Sequence, residues 1–340
     1  MSNSPIKVAL IGAGAISGAY SLALESLDTM NLVGVADINM DAAKTMADKH
    51  SCPAFEDYLE MCDQVQPDAV IICTPPTTHR HIAIELMNRS IHVLCEKPLA
   101  TTPDDAWAMV RASQSNEVVF TMASKFRFVP DVSKAREILA SGKLGDIILF
   151  ENSFTGVVDM SERWNSNPEL SGGGVLIDNG THSVDIMRFL LGPLAEIRAV
   201  EGKRLQSMNV EDTVHIFVKS QEGVIGSIDL SWSMSKGLPT FINLFGTEGT
   251  LHVGWKESKF KLKGDDDWTV FGTGYDKVAA FRNQLINFGD AIRGINPLVI
   301  TAKDAIASVY TVEAAYRAMN NDDWLAVEHS DEMYAKTVDS

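Results

Sequence analysis

Two short stretches carry residue types that can move protons. In CEKP, residues 95–98, a lysine stands directly before a proline. The proline ring disfavours helical geometry for the residue before it, so Lys97 is held extended and its ammonium has a defined exit direction. In DNGTH, residues 178–182, Asp178 and His182 are four positions apart. They share one face if a helix starts there, with Asp185 slightly around from it. An imidazole beside a carboxylate can be oriented in one tautomer and exchanges a proton near neutral pH. The same spacings also fit a solvated strand end at Lys97 and a local helix-start pair at Asp178 and His182. The preceding Gly172, Gly173 and Gly174 allow a sharp turn or a close approach of backbone to a ligand.

A third stretch could hold a nucleotide. GAGAIS, residues 12–17, follows the apolar run IKVALI and opens a helix-like segment. Gly12 suits the tight turn and Gly14 the approach of backbone to a pyrophosphate, with Ala15 and Ile16 carrying the loop into the helix N-terminus. Ser17, where Gly or Ala is usual, is small enough to keep helix-to-strand packing. Asp37 ends the second apolar run, at the offset of roughly 20 residues where a carboxylate accepts from ribose hydroxyls. It would repel a 2'-phosphate and no arginine follows in ADINMD, so NAD is expected over NADP. Asp37 also reads as a cap for the helix over AAKTMADK. In CTPPTTHRH, residues 73–81, prolines fix backbone at the carboxyl end of a strand, where ligands bind. Thr74, Pro75 and His79 there, with Glu96, complete the cofactor candidates; Thr77, Thr78, His79 and His81 also read as helix caps or surface residues.

These groups need a scaffold. At 340 residues the chain suggests about two domains. Through residue 124, apolar runs (IKVALI, LVGVAD, DAVIICT, IHVLCE, EVVFTM) alternate with helical segments. Strands apolar throughout are covered on both faces, and the βαβ order gives a doubly wound parallel sheet. From residue 125 a helix over VSKAREILASGKLG precedes longer, polar-alternating runs separated by Gly and Asn turns, then two closing helices. That pattern predicts an α+β domain over 125–340 built on a large, mostly antiparallel open sheet.

Charge and cysteines narrow the partners. With 29 Lys+Arg against 45 Asp+Glu the net charge is -16, which repels nucleic acid and anionic bilayers. Cys52, Cys62, Cys73 and Cys95 form no CxxC pair and no zinc spacing, so no metal site and a reducing, cytoplasmic setting are expected. The apolar N-terminal run is interrupted by glycines, and no run approaches the ~20 residues of a membrane helix.

Taken in order, GAGAIS, CTPPTTH, CEKPLA, the pair Arg127 and Phe128, and GGGVLIDNGTHSVD resemble the Gfo/Idh/MocA oxidoreductases over nearly the whole chain. The resemblance implies a Rossmann domain at 1–124 holding NAD(P), then a substrate-binding and oligomerisation domain at 125–340 with a sugar or polyol over the nicotinamide. It puts the catalytic roles on Lys97, Asp178 and His182 and a substrate-binding arginine near Arg127. It also implies association through the exposed sheet face, as a homodimer or homotetramer. The expected chemistry is hydride transfer between a secondary alcohol and nicotinamide C4, with His182 as general base, Asp178 orienting it, and Lys97 polarising the oxygen. TPP replaces the frequent TPN, Lys125 stands where Asn is frequent, and Asn179 replaces an apolar residue. Arg163, Trp164 and Asn165, in a segment expected to cover the site, join Lys125, Asn179 and Tyr275 as further substrate candidates. Three rivals are an NAD-using glycosidase of the family, a non-catalytic NAD-sensing protein, expected to have lost Lys97 or His182, and an exported oxidoreductase with tightly bound NADP, disfavoured by Asp37.

Overall fold

The computed structural model describes residues 4–328; the outer ends of both expected domains, 1–3 and 329–340, lie outside the described residues. The chain forms two compact units, Met1–Phe128 with Lys277–Ala305, and Val129–Asp276 with Ile306–Ser340. The division is discontinuous, where the sequence reading put a single break after residue 124.

The first unit runs β1 (Ile6–Ile11), α1 (Ser17–Leu24), β2 (Met30–Ala36), α2 (Met40–Lys49), β3 (Ala54–Phe55), α3 (Tyr58–Val65), β4 (Ala69–Ile72), α4 (His79–Asn88), β5 (His92–Glu96), α5 (Pro103–Ser115) and β6 (Phe120–Ala123). Its sheet has the order β3-β2-β1-β4-β5-β6, all parallel. The order reverses between β1 and β4, which opens a crevice at the carboxyl ends of those strands. Register aligns Ala36, Ile11, Ile72, Cys95 and Met122 in one row across the sheet. The residues that follow each of them therefore leave from one edge. The expected strands and helices are found, and β3 and α3 are additional. β3 has only two residues, and the eight-residue α3 starts at Asp57, whose carboxylate caps Leu59 and Glu60.

The second unit contains α6 (Pro130–Ala140), β7 (Ile147–Val157), α7 (Pro168–Ser171), α8 (Val175–Leu191), β8 (Leu194–Glu201), β9 (Thr213–Ser220), β10 (Ile225–Ser231), β11 (Ser233–Met234), β12 (Thr240–Gly246), β13 (Gly249–Gly254), β14 (Ser258–Leu262) and β15 (Thr269–Gly272). After α9 (Lys277–Ile292) come α10 (Ala302–Asn321) and β16 (Leu325–Ala326). The sheet order is β15-β14-β13-β12-β7-β10-β9-β8-β16, with β11 paired to β7. Every pair is antiparallel except β7 with β10. Alternation holds along β9, where Val214, Ile216 and Val218 are buried and Phe217 is exposed. α8 packs on β7, β9 and β10.

α9 follows the second-unit sheet in sequence yet packs on α1. Phe281, Leu285 and Phe288 on its apolar face join the core around Val8, Leu10, Tyr20 and Leu24. Their three- and four-residue spacing announces an amphipathic helix but carries no information about which surface receives it.

Candidate active site

Gly12 has φ +92° and lies against the backbone of Cys73 at the end of β4: a Cβ there would sit 2.8 Å from the Cys73 carbonyl carbon and oxygen. Around Gly14, by contrast, there is open space within 4 Å. α1 begins after Ile16 with no side-chain cap, so no side chain occupies the helix start where a pyrophosphate would bind. Buried Ser17 donates from its hydroxyl to the Gly12 carbonyl and fastens the loop from inside. Asp37 Oδ2 accepts from the Ala13 N–H at 2.6 Å and Oδ1 from the Asn39 N–H at 2.8 Å. The cap of α2 is Asn39, which accepts from Asp41 and Ala42, so the capping alternative for Asp37 is excluded. An open loop, an uncapped helix and an acid after the second strand fit a dinucleotide with free ribose hydroxyls.

The next two strand ends are tied together by His79. Its ring is fully buried, with Nε2 2.9 Å from the Thr74 carbonyl and Nδ1 3.0 Å from the Pro98 carbonyl. Burial pushes its pKa down against the pull of those carbonyls. Both nitrogens are engaged by backbone, and the residue ties together the loops that carry Thr74, Pro75 and Lys97. Thr74 Oγ1 meets Thr78 Oγ1 at 2.7 Å, and Thr78 donates to the Pro75 carbonyl, closing the turn.

Glu96 is the last residue of β5. Its side chain is buried; Oε1 accepts from the Tyr20 hydroxyl at 2.8 Å and Oε2 from the Lys97 N–H at 3.1 Å. Gln284 Nε2 donates in turn to Tyr20 at 3.1 Å. Burial pushes the Glu96 carboxyl up, while the charges of Lys97 and Lys125 pull it down. Glu96 thus joins an internal network with Tyr20 and Gln284 and holds the Lys97 backbone N–H. Lys97 itself is half-buried, and its bond to Pro98 is cis. Lys125 lies 5.3 Å from the Phe126 ring and 5.7 Å from that of Phe281. Arg127, expected to bind substrate, is 3% exposed and pairs with Asp304 at 3.2 Å. Asp304 also accepts from the Thr301 N–H and hydroxyl in a capping box at the start of α10. A guanidinium taken below the surface needs a carboxylate partner, and Asp304 supplies it.

On α8, Asp178 lies in the first turn and His182 one turn further, half-buried and buried respectively. The four-residue spacing is helical, as expected. Asn179 is half-buried on the same helix. In the preceding loop Arg163 and Trp164 are exposed and Asn165 half-buried, within a short turn over Trp164–Ser166. Gln206 anchors this loop, accepting from the Met160 N–H at 3.0 Å and donating to the Val158 carbonyl at 2.9 Å. Tyr275 packs edge-on against Trp255, ring centres 5.8 Å apart, and burial pushes its hydroxyl pKa up. Trp255 continues into Phe241 and Phe154, so Tyr275 is the end of an aromatic row. Tyr20, Gln206 and Gln284 escaped the sequence reading because their partners are far away in the chain.

Comparison with known families gives a direct answer. A profile described as the oxidoreductase family, NAD-binding Rossmann fold, of the Gfo/Idh/MocA group matches residues 6–124, and the group's C-terminal domain profile matches residues 132–252. The chain belongs to the Gfo/Idh/MocA oxidoreductase family. The first match falls within the first unit and covers its parallel sheet, and the second covers β7 to β12 of the open sheet. Among Gfo/Idh/MocA relatives, the rhizopine catabolism protein MocA of Rhizobium meliloti is 26% identical over 325 residues, covering 93% of this chain and 96% of that one. The myo-inositol 2-dehydrogenase of Thermotoga maritima is 25% identical over 256 residues, 72% of this chain and 74% of its own. The solved structure of a levoglucosan dehydrogenase in complex with NADH superposes with a TM-score of 0.89 at 21% identity, covering 96% of this chain and all of that one. That likeness establishes the shared fold. Among the described residues no helix is long and apolar enough to cross a membrane.

Proposed function

We propose that the protein is an NAD-dependent dehydrogenase that oxidises a secondary alcohol of a sugar or polyol, or reduces the matching ketone. The observation that carries this reading is that the sheet edge bearing an open dinucleotide loop also bears Lys97, in a chain of the Gfo/Idh/MocA oxidoreductase family. NAD, when bound, supplies the hydride acceptor at its nicotinamide ring. Gly14, the uncapped start of α1 and Asp37 would hold it. Lys97 donates to the substrate oxygen and stabilises negative charge developing there. His182 takes the hydroxyl proton, and Asp178, one turn away, orients the imidazole.

Support for a polyol comes from relatives named for myo-inositol and levoglucosan. The glycosidase and sensor readings gain nothing from them. Lys125, Arg163, Trp164, Asn165, Asn179 and Tyr275 are the substrate contacts in this reading, and Arg127 acts only through the segment it anchors. A cytoplasmic homo-oligomer fits the acidic composition and the exposed Val200, Phe217 and Ile225 of the open sheet.

The test is a panel of myo-inositol, levoglucosan, methyl D-glucoside, aldoses and sugar phosphates with NAD and NADP, followed by reduced-cofactor absorbance. NADH formed from at least one cyclic polyol is the expected result. Release of an aglycone from a glycoside without net NADH, or no turnover on any member, would overturn the reading.

A further inference from the structure

Helix α8 has no cap of its own, because Gly174 at its cap position offers no side chain. The first turn is held instead by Glu211, from the chain just before β9. Glu211 Oε1 accepts from the Gly174 N–H at 2.9 Å, the Leu176 N–H at 3.0 Å and the Tyr316 hydroxyl at 2.7 Å. The Glu211 carbonyl accepts from the intervening Val175 N–H at 2.9 Å. One residue thus engages three consecutive amides at a helix start, where unpaired N–H groups and the dipole favour negative charge.

The fit is tight. A Cβ at position 174 would lie 2.1 Å from the Glu211 carbonyl oxygen, and one at position 173 would lie 2.0 Å from the Tyr316 hydroxyl oxygen. Those two glycines admit a carboxylate and a phenol, a use of the glycine run different from ligand approach. Glu211 is 4% exposed. Burial pushes its carboxyl pKa up, while the Tyr316 hydroxyl and the amides pull it down. A buried acid with this many donors is a fixed point, and Asp178 begins the next part of the same turn, with its own N–H bonded to the Gly174 carbonyl at 3.1 Å.

We propose that Glu211, seated by Tyr316, is a positioning residue for the reaction: it sets the rotation and axial placement of α8, and through them the aim of Asp178 and His182. This rests on reading that pair as catalytic. Displacements near 1 Å can cost on the order of 100-fold in rate. Glu211→Ala is therefore expected to lower kcat about 10- to 100-fold with the affinity for NAD unchanged, and to raise the primary deuterium isotope effect on a C-deuterated polyol as hydride transfer becomes limiting. Glu211→Gln keeps an acceptor oxygen and should recover most of the rate. Tyr316→Phe, which removes one donor and no carbon, should show a smaller loss of the same kind.

Rates are read well below each variant's melting temperature on the polyol that gives the fastest NADH formation. Amide hydrogen exchange across 172–180 is read in parallel and requires no substrate. Faster exchange there in Glu211→Ala, with Glu211→Gln near wild type, is expected. Unchanged exchange across 172–180, or wild-type kcat and isotope effect in Glu211→Ala and Tyr316→Phe despite a lowered melting temperature, overturns the inference. Failure of the underlying reading is distinguishable: the wild-type enzyme then oxidises no polyol, or Lys97→Ala and His182→Ala keep full turnover.

Discussion

Tyr20 donates a 2.8 Å hydrogen bond to Glu96 Oε1, from the first helix of the chain to the strand end that precedes Lys97. Both side chains are buried, and Gln284 donates to the same phenol oxygen at 3.1 Å. Removing the hydroxyl leaves a buried carboxylate short of a donor and a buried amide short of an acceptor. Tyr20→Phe should destabilise the protein by about 1–3 kcal/mol, the desolvation cost of a buried polar group left unmade. Urea unfolding measures it. An unchanged midpoint would mean that the network contributes nothing to stability.

Lys97→Ala and His182→Ala should each lower turnover by about 10²- to 10⁴-fold, the usual range for a positioned proton-transfer group. NAD affinity, read by fluorescence titration, should stay within a few-fold. Loss of NAD binding in Lys97→Ala would move that residue from chemistry to cofactor retention.

Asp37 should set the choice of cofactor. Replacement by Asn removes the charge that excludes a 2'-phosphate and weakens acceptance from ribose hydroxyls, interactions worth about 1.5–3 kcal/mol when charged. The expected outcome is weaker NAD binding and a smaller NAD-to-NADP ratio in kcat/KM. Because Asp37 also accepts from Ala13 and Asn39, a control melting curve should accompany the titration.

Acid stability should depend on Asp304. Burial pushes its carboxyl up, but Arg127 and the Thr301 hydroxyl and N–H outweigh it, and the folded pKa lies below the ordinary value. In that case the unfolded chain takes up the proton first as pH falls. The pair's contribution is therefore complete above the unfolded aspartate pKa of about 3.9 and is lost below it, as pH falls through the folded value. Wild-type stability should drop more steeply than that of Asp304→Asn below about pH 4, measured by denaturant unfolding at stepped pH. Parallel curves would rule out the linkage.

Much of the nucleotide-binding edge was legible because its signals are local: a glycine loop directly after a strand, an acid closing the next strand, a proline fixing Lys97. The spacing of Asp178 and His182 was legible because a helix repeats every 3.6 residues. What escaped depends on long-range contacts. The burial of Arg127 against Asp304, and of His79 against the carbonyls of Thr74 and Pro98, has no local signal in the sequence. Glu211 and Tyr316 gave no signal of their own, although Gly173 and Gly174 recorded their presence as missing side chains. β3, β11, β15 and β16 are short or at sheet edges, where hydrophobic alternation is weakest.

The seating of Phe281, Leu285 and Phe288 beside α1 has a consequence for biosynthesis. A ribosome delivers the nucleotide-binding strands early, but the greasy surface of α1 and β1 stays uncovered until residues 129–276 of the second unit have been translated and α9 follows them. An excised 1–124 fragment would inherit that raw face, and a graft of this module into another enzyme should carry 277–292 with it.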